Sequence, residues 1–483
     1  MTNIKNRLKT INLIKKKTGN APDVTYKDYP LKNKTITLIY SNSVSSQTDI
    51  NDFILRRLDE DKDKIKDDEI FNYIKNYIPN NTYQEITTIE DTLYYLFNGF
   101  TLIVFDNNDK ILAFENKASL TSQIQRSENE KSLKGPLDAF TENYQANLGM
   151  IRRRIKTENL WLKELTIGKK SKTKVALLYL NGVCKEELIN NIYEKVKSIK
   201  IDYVGNSNYI IDAISNANRA IFPINLSTER PDFACQMLLQ GRVILMCENS
   251  NEVTVLPCTF IDFFKSPDDY YEKGLNVFAS RMIRIISMLL TLLTPAIYIS
   301  LMAYNLEAIP SGLLINFSTQ RDGVPFSTVF EILVMSFMFQ VLRESDLRFP
   351  GKGGSSISIV GALVLGQAAV EAGIVSPITI IIVGISSVAS LAFSSIELIN
   401  SIRWWQLILI ILSSLFGFIG VMFGCLIMLA ILISQTSCGK PYFAPFEPFN
   451  KNGLKDAILI FKDAKLHPKN IYTKEDKNEE KNI

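Results

Sequence analysis

The C-terminal part of the chain, from Met282 to Ser434, is long, apolar and poor in charge, whereas the residues before it are densely charged. A helix needs about 20 mainly apolar residues to cross a bilayer. Ile283–Tyr304 meets this requirement, and Arg281 and Arg284 lie at its start. Positive charges before a first span favour the cytoplasmic side. The sequence therefore predicts a multi-pass membrane protein whose N-terminal part lies in the cytoplasm.

Further apolar segments follow this first span. Val324–Leu342 contains Glu331, and a carboxylate at membrane depth costs roughly 2.5–3.5 kcal/mol, so Glu331 is expected to face protein or water rather than lipid. This segment is predicted to be either a full span or a re-entrant helix. The remaining apolar segments are Ile357–Ala372, Ile374–Phe393 and Trp404–Ser434.

The last apolar segment exceeds one span and contains Gly417, Gly420 and Gly424, which allows either one long tilted helix or a broken hairpin. The tail after Ser437 carries nine lysines against seven acidic residues, which favours the cytoplasmic side. An even number of crossings, four or six, would place both ends of the chain there.

The polar half contains an internal repeat. Ile36–Tyr40 and Val175–Tyr179 both read as strands, and each is followed by a turn and a helical stretch. A helix and a strand–turn–strand unit then follow in both copies, offset by about 140 residues. The predicted fold class is an α+β multi-domain membrane protein, with two tandem related α/β cytoplasmic subdomains followed by an α-helical transmembrane bundle.

The predicted domain boundaries follow from these patterns. They are a basic N-terminal tail at 1–33, the first α/β subdomain at 34–134, a helical linker at 135–170, the second subdomain at 171–265, a coupling segment at 266–282, the transmembrane helical domain at 283–434 and a cytoplasmic tail at 435–483. Phe263–Arg281 is expected to couple the subdomains to the membrane helices as the only covalent link.

Composition and motifs exclude several classes of function. The net charge of +4 argues against a nucleic-acid partner. The chain has no phosphate-binding glycine loop and no nucleophile elbow, and its one histidine, His467, lies in the polar tail. Six scattered cysteines have no metal-site spacing. We therefore expect no enzymatic activity, no cofactor and no metal.

Two charged motifs are ambiguous from pattern alone. Arg152, Arg153 and Arg154 form a basic cluster, which is interpreted either as a solvated helix face or as a contact with acidic headgroups or a partner subunit. Asp268 and Asp269 are adjacent and do not share a helix face, so a helix cap is favoured over paired catalytic carboxylates.

The segment Ile357–Glu371 has two distinct faces when drawn as a helix. One stripe suits the lining of a cation pore, with valines as a dewetting constriction and polar groups as a cation-attracting ring. The other consists of small residues that allow close helix packing. The predicted pore-lining residues are Val360, Val364, Gln367 and Glu371, and the predicted helix-packing residues are Ala362, Gly366, Ala369 and Gly373. Alternatively, Gln367 bonds a neighbouring helix and Glu371 lies at the membrane interface.

Five separated stretches in the same order resemble the A subunit of spore germinant receptors, over about Ile36 to His467. The sequence departs from the usual family pattern at Cys247–Ser250, Ser345–Leu347 and Asn305, which affects only turn and loop geometry. The five stretches are Lys134–Thr157, Asp268–Tyr271, Arg321–Phe326, Arg343–Pro377 and Pro441–Pro445.

This resemblance implies a protein of the spore inner membrane that works with a transporter-like B subunit and a lipoprotein C subunit to sense nutrient germinants. It also implies a homo-oligomeric ring that acts as a ligand-gated channel and releases monovalent cations. Two alternatives stay open: a scaffold subunit that conducts nothing, and the related germination-amplifying paralogue encoded with dipicolinate-channel proteins.

Overall fold

The computed structural model describes residues 6–31, 34–60, 70–78, 82–119, 125–127, 130, 132–214, 221–348, 354–393, 395–454, 456–458 and 472–473. The chain divides into two compact units. The first unit consists of Met1–Asn218, Asn225–Cys258 and Lys462–Ile483, and the second of Arg219–Ile224 and Thr259–Phe461. The chain therefore passes between the units at four points. The expectation that Phe263–Arg281 is the only covalent link was wrong, because an internal loop and the C-terminal tail also change units.

The first unit contains two α/β subdomains with the same order of elements. Those of the first are α1 (Arg7–Lys17), β1 (Val24–Leu31), β2 (Lys34–Ser41), α2 (Gln47–Asp49), a π-helical stretch (Ile50–Leu55), α3 (Arg56–Glu60), α4 (Ile70–Tyr77), β3 (Tyr83–Ile86), α5 (Ile89–Phe97), β4 (Phe100–Val104) and β5 (Ile111–Glu115). The short strands β6 (Gln125–Arg126) and β7 (Asp138–Ala139) pair with each other. Those of the second subdomain are α6 (Tyr144–Arg154), β8 (Leu160–Ile167), β9 (Thr173–Leu180), α7 (Glu186–Lys197), α8 (Ser207–Ile214), β10 (Leu226–Thr228), α9 (Pro231–Leu239), β11 (Val243–Cys247) and β12 (Val253–Leu256).

The two sheets have identical strand order, β1-β2-β4-β5-β3 and β8-β9-β11-β12-β10, and all their strand pairs are antiparallel. Leu38 opposes Ile103 in the first sheet, and Leu177 opposes Leu245 in the second. All four side chains are buried, because apolar residues of the inner strands face helices on the sheet. The predicted fold class, with tandem related α/β subdomains before a helical bundle, is confirmed.

Two predicted domain boundaries need correction. The expected basic tail at 1–33 contains α1 and β1, and β1 pairs with β2 from Val24 to Leu31. The expected helical linker at 135–170 is helical only at Tyr144–Arg154, and Leu160–Ile167 forms the edge strand β8. Both edge strands are only partly buried and mix polar with apolar residues, so neither shows the apolar run of an inner strand.

The second unit is mainly helical. Its elements are two 3₁₀ turns (Phe260–Phe264 and Pro267–Tyr271), α10 (Gly274–Tyr304), a 3₁₀ turn (Leu306–Ala308), α11 (Ser311–Arg321), α12 (Thr328–Arg348), α13 (Gly354–Glu371), α14 (Pro377–Ala389), a 3₁₀ turn (Ser390–Ala392), α15 (Ile396–Ser434), β13 (Thr436–Ser437), β14 (Lys440–Pro441) and α16 (Lys451–Leu454). Within the described residues, α10 and α15 are long and apolar enough to cross a membrane.

Helix α15 is a hairpin rather than one straight helix. Gly417 has non-helical dihedrals (φ 61°, ψ −141°), which suit glycine best. A methyl group placed on Gly424 would lie 2.5 Å from Leu409 Cδ2, although a straight helix would separate these residues by about 22 Å. The Trp405 ring also stacks on Phe222, whose carbonyl accepts a hydrogen bond from Gln435 Nε2 at 3.0 Å. Of the two predicted alternatives, the broken hairpin is correct.

Side-chain hydrogen bonds define the directions of the other long helices. Glu331, near the start of α12, bonds Ser376 and Thr379 at the start of α14. Arg343, near the end of α12, bonds Ser390, which directly follows α14. Helices α12 and α14 therefore run parallel in direct contact, and α13, which connects them along the chain, packs against α12.

Candidate pore helix and its two charged clusters

Helix α13 carries the residues predicted to line a pore. Val364 is 56% exposed, and Gln367 and Glu371 are also exposed. The side chains of Val360 and Ala362 lie outside the described residues. Three of the four predicted lining residues therefore lie on an accessible face of α13, and their role as a pore lining stays a prediction.

The small residues of α13 lie in more enclosed positions. Gly366 is buried, and a methyl group placed on it would lie 3.7 Å from Ile380 Cγ2 of α14. Ala369 and Gly373 are half-buried. Gly366 thus lies within van der Waals reach of the Ile380 side chain, whereas Val364, Gln367 and Glu371 are exposed.

A tight turn joins α13 to α14. Gly373 has a φ of +63°, a conformation that side chains with a Cβ rarely adopt. Its amide donates to Val370 O at 2.9 Å, and the Ile374 amide donates to Ala369 O at 3.0 Å. These bonds satisfy carbonyls at the end of α13. Glu371, the last residue of α13, is therefore held close to Ser376, which caps α14.

We define the Glu331 cluster as Tyr298, Arg321, Glu331, Ser376 and Thr379. Glu331 is 1% exposed, and its Oε2 accepts three hydrogen bonds. The donors are Ser376 N at 2.9 Å, Ser376 Oγ at 2.8 Å and Thr379 Oγ1 at 2.9 Å. Because the start of a helix carries unpaired amides and partial positive charge, it stabilises a carboxylate there. The structure thus places Glu331 in the protein interior.

The other side of the Glu331 carboxylate is incompletely bonded. Oε1 lies 3.8 Å from Arg321 Nε, and neither atom has a hydrogen-bond partner in the described part of the chain. The buried Tyr298 hydroxyl faces the same group of side chains, with Ser376, Thr379, Arg321 and Glu331 as its neighbours. The Glu331 cluster is therefore firmly attached to α14 and loosely attached to α11.

We define the Asp269 cluster as Asp262, Lys265, Asp269, Arg281, Arg284 and Asp456. Arg281 is fully buried at its centre. Its Nε donates to Asp269 Oδ2 at 2.9 Å, and both terminal nitrogens donate to Asp456 Oδ1 at 3.2 Å. Nη1 also donates to the Asp456 and Ala457 carbonyls at 3.0 and 2.9 Å. Arg281 thus joins the coupling segment to the C-terminal tail within the second unit.

The remaining members complete this network. Asp269 also accepts from Arg284 at 3.0 and 3.1 Å, and caps the turn Pro267–Tyr271 by accepting from the Ser266 amide. Lys265 Nζ lies 3.1 Å from both Asp262 Oδ1 and Asp456 Oδ2. Three basic and three acidic residues balance the formal charge. The predicted capping role of Asp269 is present, and its ion pairs with Arg281 and Arg284 add to it.

Two opposing effects act on the pKa of the Asp456 carboxyl. Burial by itself raises the pKa of the Asp456 carboxyl, but the nearby charges of Lys265 and Arg281 outweigh it and hold that pKa below its usual value. The carboxylate is therefore ionised at neutral pH and completes the charge balance of the Asp269 cluster.

Of the three arginines of the first unit, Arg152 lies in the interior, whereas Arg153 is exposed and Arg154 is half-buried. Arg152 is fully buried and pairs with Asp23 through Nη2–Oδ1 at 3.0 Å and Nε–Oδ2 at 3.2 Å. Its guanidinium also lies 4.2 Å from the Phe97 ring centroid. For Arg152, both a solvated face and a headgroup contact were wrong, because its side chain is fully buried in an ion pair with Asp23.

These features define a class of protein: tandem α/β subdomains followed by a bundle that contains helices long and apolar enough to cross a membrane. The chain belongs to the Bacillus/Clostridium GerA spore germination protein family, whose family model matches residues 12–469. The resemblance seen in the five sequence stretches is thereby confirmed.

The similarity to individual relatives covers nearly the whole chain. It is 33% identical over 454 residues to Spore germination protein KA of Bacillus subtilis (strain 168), covering 93% of this chain and 84% of that protein. It is 31% identical over 459 residues to the Uncharacterized membrane protein YfkQ of the same organism, covering 95% and 88%. The crystal structure of the N-terminal domain of the A subunit of the Bacillus megaterium spore germinant receptor GerK3 matches with a TM-score of 0.42 at 27% identity, covering 53% of this chain and 96% of that one.

Proposed function

We propose that this chain is the A subunit of a nutrient germinant receptor in the spore inner membrane. In this proposal the first unit lies in the cytoplasm, and the chain works with a transporter-like B subunit and a lipoprotein C subunit. Copies of the chain form a ring that conducts monovalent cations when the receptor is activated. Family membership supports the receptor role, and the exposed face of α13 carries the channel role.

The observation behind the channel role is the contrast between the two faces of α13. Val364, Gln367 and Glu371 are exposed, whereas Gly366 is buried against α14. Polar side chains of an apolar membrane helix are expected to face protein or water rather than lipid. In a ring, valine side chains would form a dewetting constriction, and Gln367 and Glu371 would attract cations.

The test is potassium flux through the purified chain in liposomes, alone and together with the B and C subunits. We expect Val364→Ala to raise flux because it widens the constriction, and Val364→Trp to abolish it. Leu365→Ala is the matched control, since Leu365 is the neighbouring residue on α13 and is also partly exposed. It should leave flux close to that of the unmodified chain.

Assembly needs a separate measurement. Gln367→Cys should form disulfide-linked oligomers between copies if α13 faces the centre of a ring, and the unmodified chain should not form them under the same oxidation. If cross-linked oligomers form but neither Val364 variant changes the potassium flux, the non-conducting scaffold is favoured instead.

A further inference from the structure

Helix α11 and the turn after it are not used by the proposed pore. None of the 11 residues of α11 is buried. Leu314, Phe317 and Arg321 are half-buried, and their spacing places them on one face of the helix. Leu314 and Phe317 pack against the apolar core of the second unit. Helix α11 is thus a surface helix, and Arg321 at its end is the charged residue that reaches the Glu331 cluster.

Glu331 connects α12 to the turn that follows Glu371. Its Oε2 holds Ser376 through both the amide and the hydroxyl, and Thr379 through its hydroxyl. The intervening turn is itself bonded, from Gly373 to Val370 and from Ile374 to Ala369. A displacement of the Glu331 carboxylate therefore moves the start of α14 and, through this short turn, the end of α13.

The contact between Arg321 and Glu331 is not fully made. Arg–carboxylate hydrogen bonds have a typical length of about 2.7–2.9 Å, whereas Arg321 Nε and Glu331 Oε1 are 3.8 Å apart. Both atoms lack a hydrogen bond within the described residues. A shift of α11 by about 1 Å toward the bundle would complete this bond, and a shift away would leave the Glu331 charge without its neighbour.

We propose that Glu331 is the positioning residue for Glu371 at the end of the pore helix, and that Arg321 transmits displacements of α11 to it. This inference rests on the proposed channel function, since it assigns Glu371 a place along the cation path. It also gives a role to the Arg321–Phe326 stretch, which leads from α11 to α12.

The first test measures the turn directly, by amide hydrogen exchange of residues 372–376 in the full-length protein in nanodiscs. Glu331→Gln should accelerate this exchange at least about fivefold, as expected when hydrogen bonds of the cap are weakened. Thr379→Val removes one bond without altering the charge and should act in the same direction. Arg343→Gln is the matched control, because Arg343 bonds Ser390 at the other end of the same helix pair. It should leave the turn unchanged.

The role of Arg321 is tested by a double-variant cycle on the same exchange rates. Arg321→Gln should change exchange of the turn about two- to fivefold, and this effect should vanish when Glu331→Gln is already present. An equal effect in both backgrounds, or none in either, would overturn the transmission from α11.

The second test is ion selectivity in the liposome system, measured as the reversal potential under a KCl gradient. Glu331→Gln should weaken the preference for potassium over chloride, and so should Glu371→Gln, although the Glu331 side chain itself is buried. A chain that conducts and responds to Val364→Ala but keeps its selectivity in Glu331→Gln would refute the inference and leave the channel intact. Exchange effects without flux, even with the B and C subunits present, would refute the channel instead.

Discussion

The two charged clusters of the second unit are bonded in opposite ways. In the Asp269 cluster, the ion pairs of the buried Arg281 are 2.9–3.2 Å long, and its carboxylate partners are shared with Lys265 and Arg284. In the Glu331 cluster, the Arg321–Glu331 ion pair is 3.8 Å long, and neither of its two atoms has a hydrogen bond within the described residues. A fully satisfied buried network is rigid, whereas α11 can move relative to Glu331 without breaking a hydrogen bond between Arg321 Nε and Glu331 Oε1, since none is made. The first is suited to clamp segments together and the second to respond to movement.

The position of each cluster fits this difference. The Asp269 cluster joins the start of α10 to the coupling segment and to Asp456 and Ala457, which come about 175 residues later in the chain. The Glu331 cluster joins the bundle to α11, a helix without buried residues. A clamp at the base of α10 would transmit force from the coupling segment, while a loose contact at α11 allows that helix to shift.

The largest expected effect comes from breaking the clamp. Arg281→Gln should destabilise the second unit by about 3–5 kcal/mol, because it leaves buried carboxylates without their partner. Urea unfolding of the detergent-solubilised chain would measure this loss. Arg284→Gln is the matched variant, since the Arg284 side chain is 19% exposed and also pairs with Asp269. It should lower the free energy of unfolding clearly less than Arg281→Gln does. Equal losses in free energy of unfolding for both variants would contradict a special role for the buried Arg281.

The second-largest expected effect is a loss of stability of the Asp269 cluster at low pH. Because the folded-state pKa of Asp456 is lowered, the stability it contributes is complete above its unfolded pKa of about 3.9 and is lost as pH falls through the folded value. Unfolding midpoints measured from pH 6 down to pH 2 should therefore fall more steeply below about pH 4 for the unmodified chain than for Asp456→Asn. Parallel curves would show that Asp456 does not carry this acid sensitivity. Arg321→Gln should leave the slope unchanged.

The smallest effect is expected at the loose contact. A double-mutant cycle between Arg321→Gln and Glu331→Gln should give a coupling energy below about 1 kcal/mol in unfolding experiments. The matching cycle between Arg281→Gln and Asp269→Asn should exceed about 1.5 kcal/mol, since both side chains are buried. Similar coupling energies in the two cycles would remove the distinction between clamp and loose contact.

Local pattern was sufficient to predict the tandem subdomains. Inner strands such as Ile36–Tyr40 and Val175–Tyr179 are continuous apolar runs, and that signal depends only on neighbouring residues. Edge strands β1 and β8 were missed because both mix polar with apolar residues and are only partly buried. The spacing of Val364, Gln367 and Glu371 against Gly366 placed them on different faces of one helix, and their exposure differs accordingly.

Apolar length, the repeat and the stripes of α13 are properties of adjacent residues, so the sequence by itself determined the fold class, the family resemblance and the candidate pore helix. Only the tertiary structure decided which charges meet. Asp23 pairs with Arg152, and Asp456 pairs with Arg281, across more than a hundred residues. It also decided that α15 folds back at Gly417, because the same glycines are compatible with a straight helix until α10 and the two arms pack together. Such contacts depend on where distant segments come to lie, and no local pattern encodes that distance.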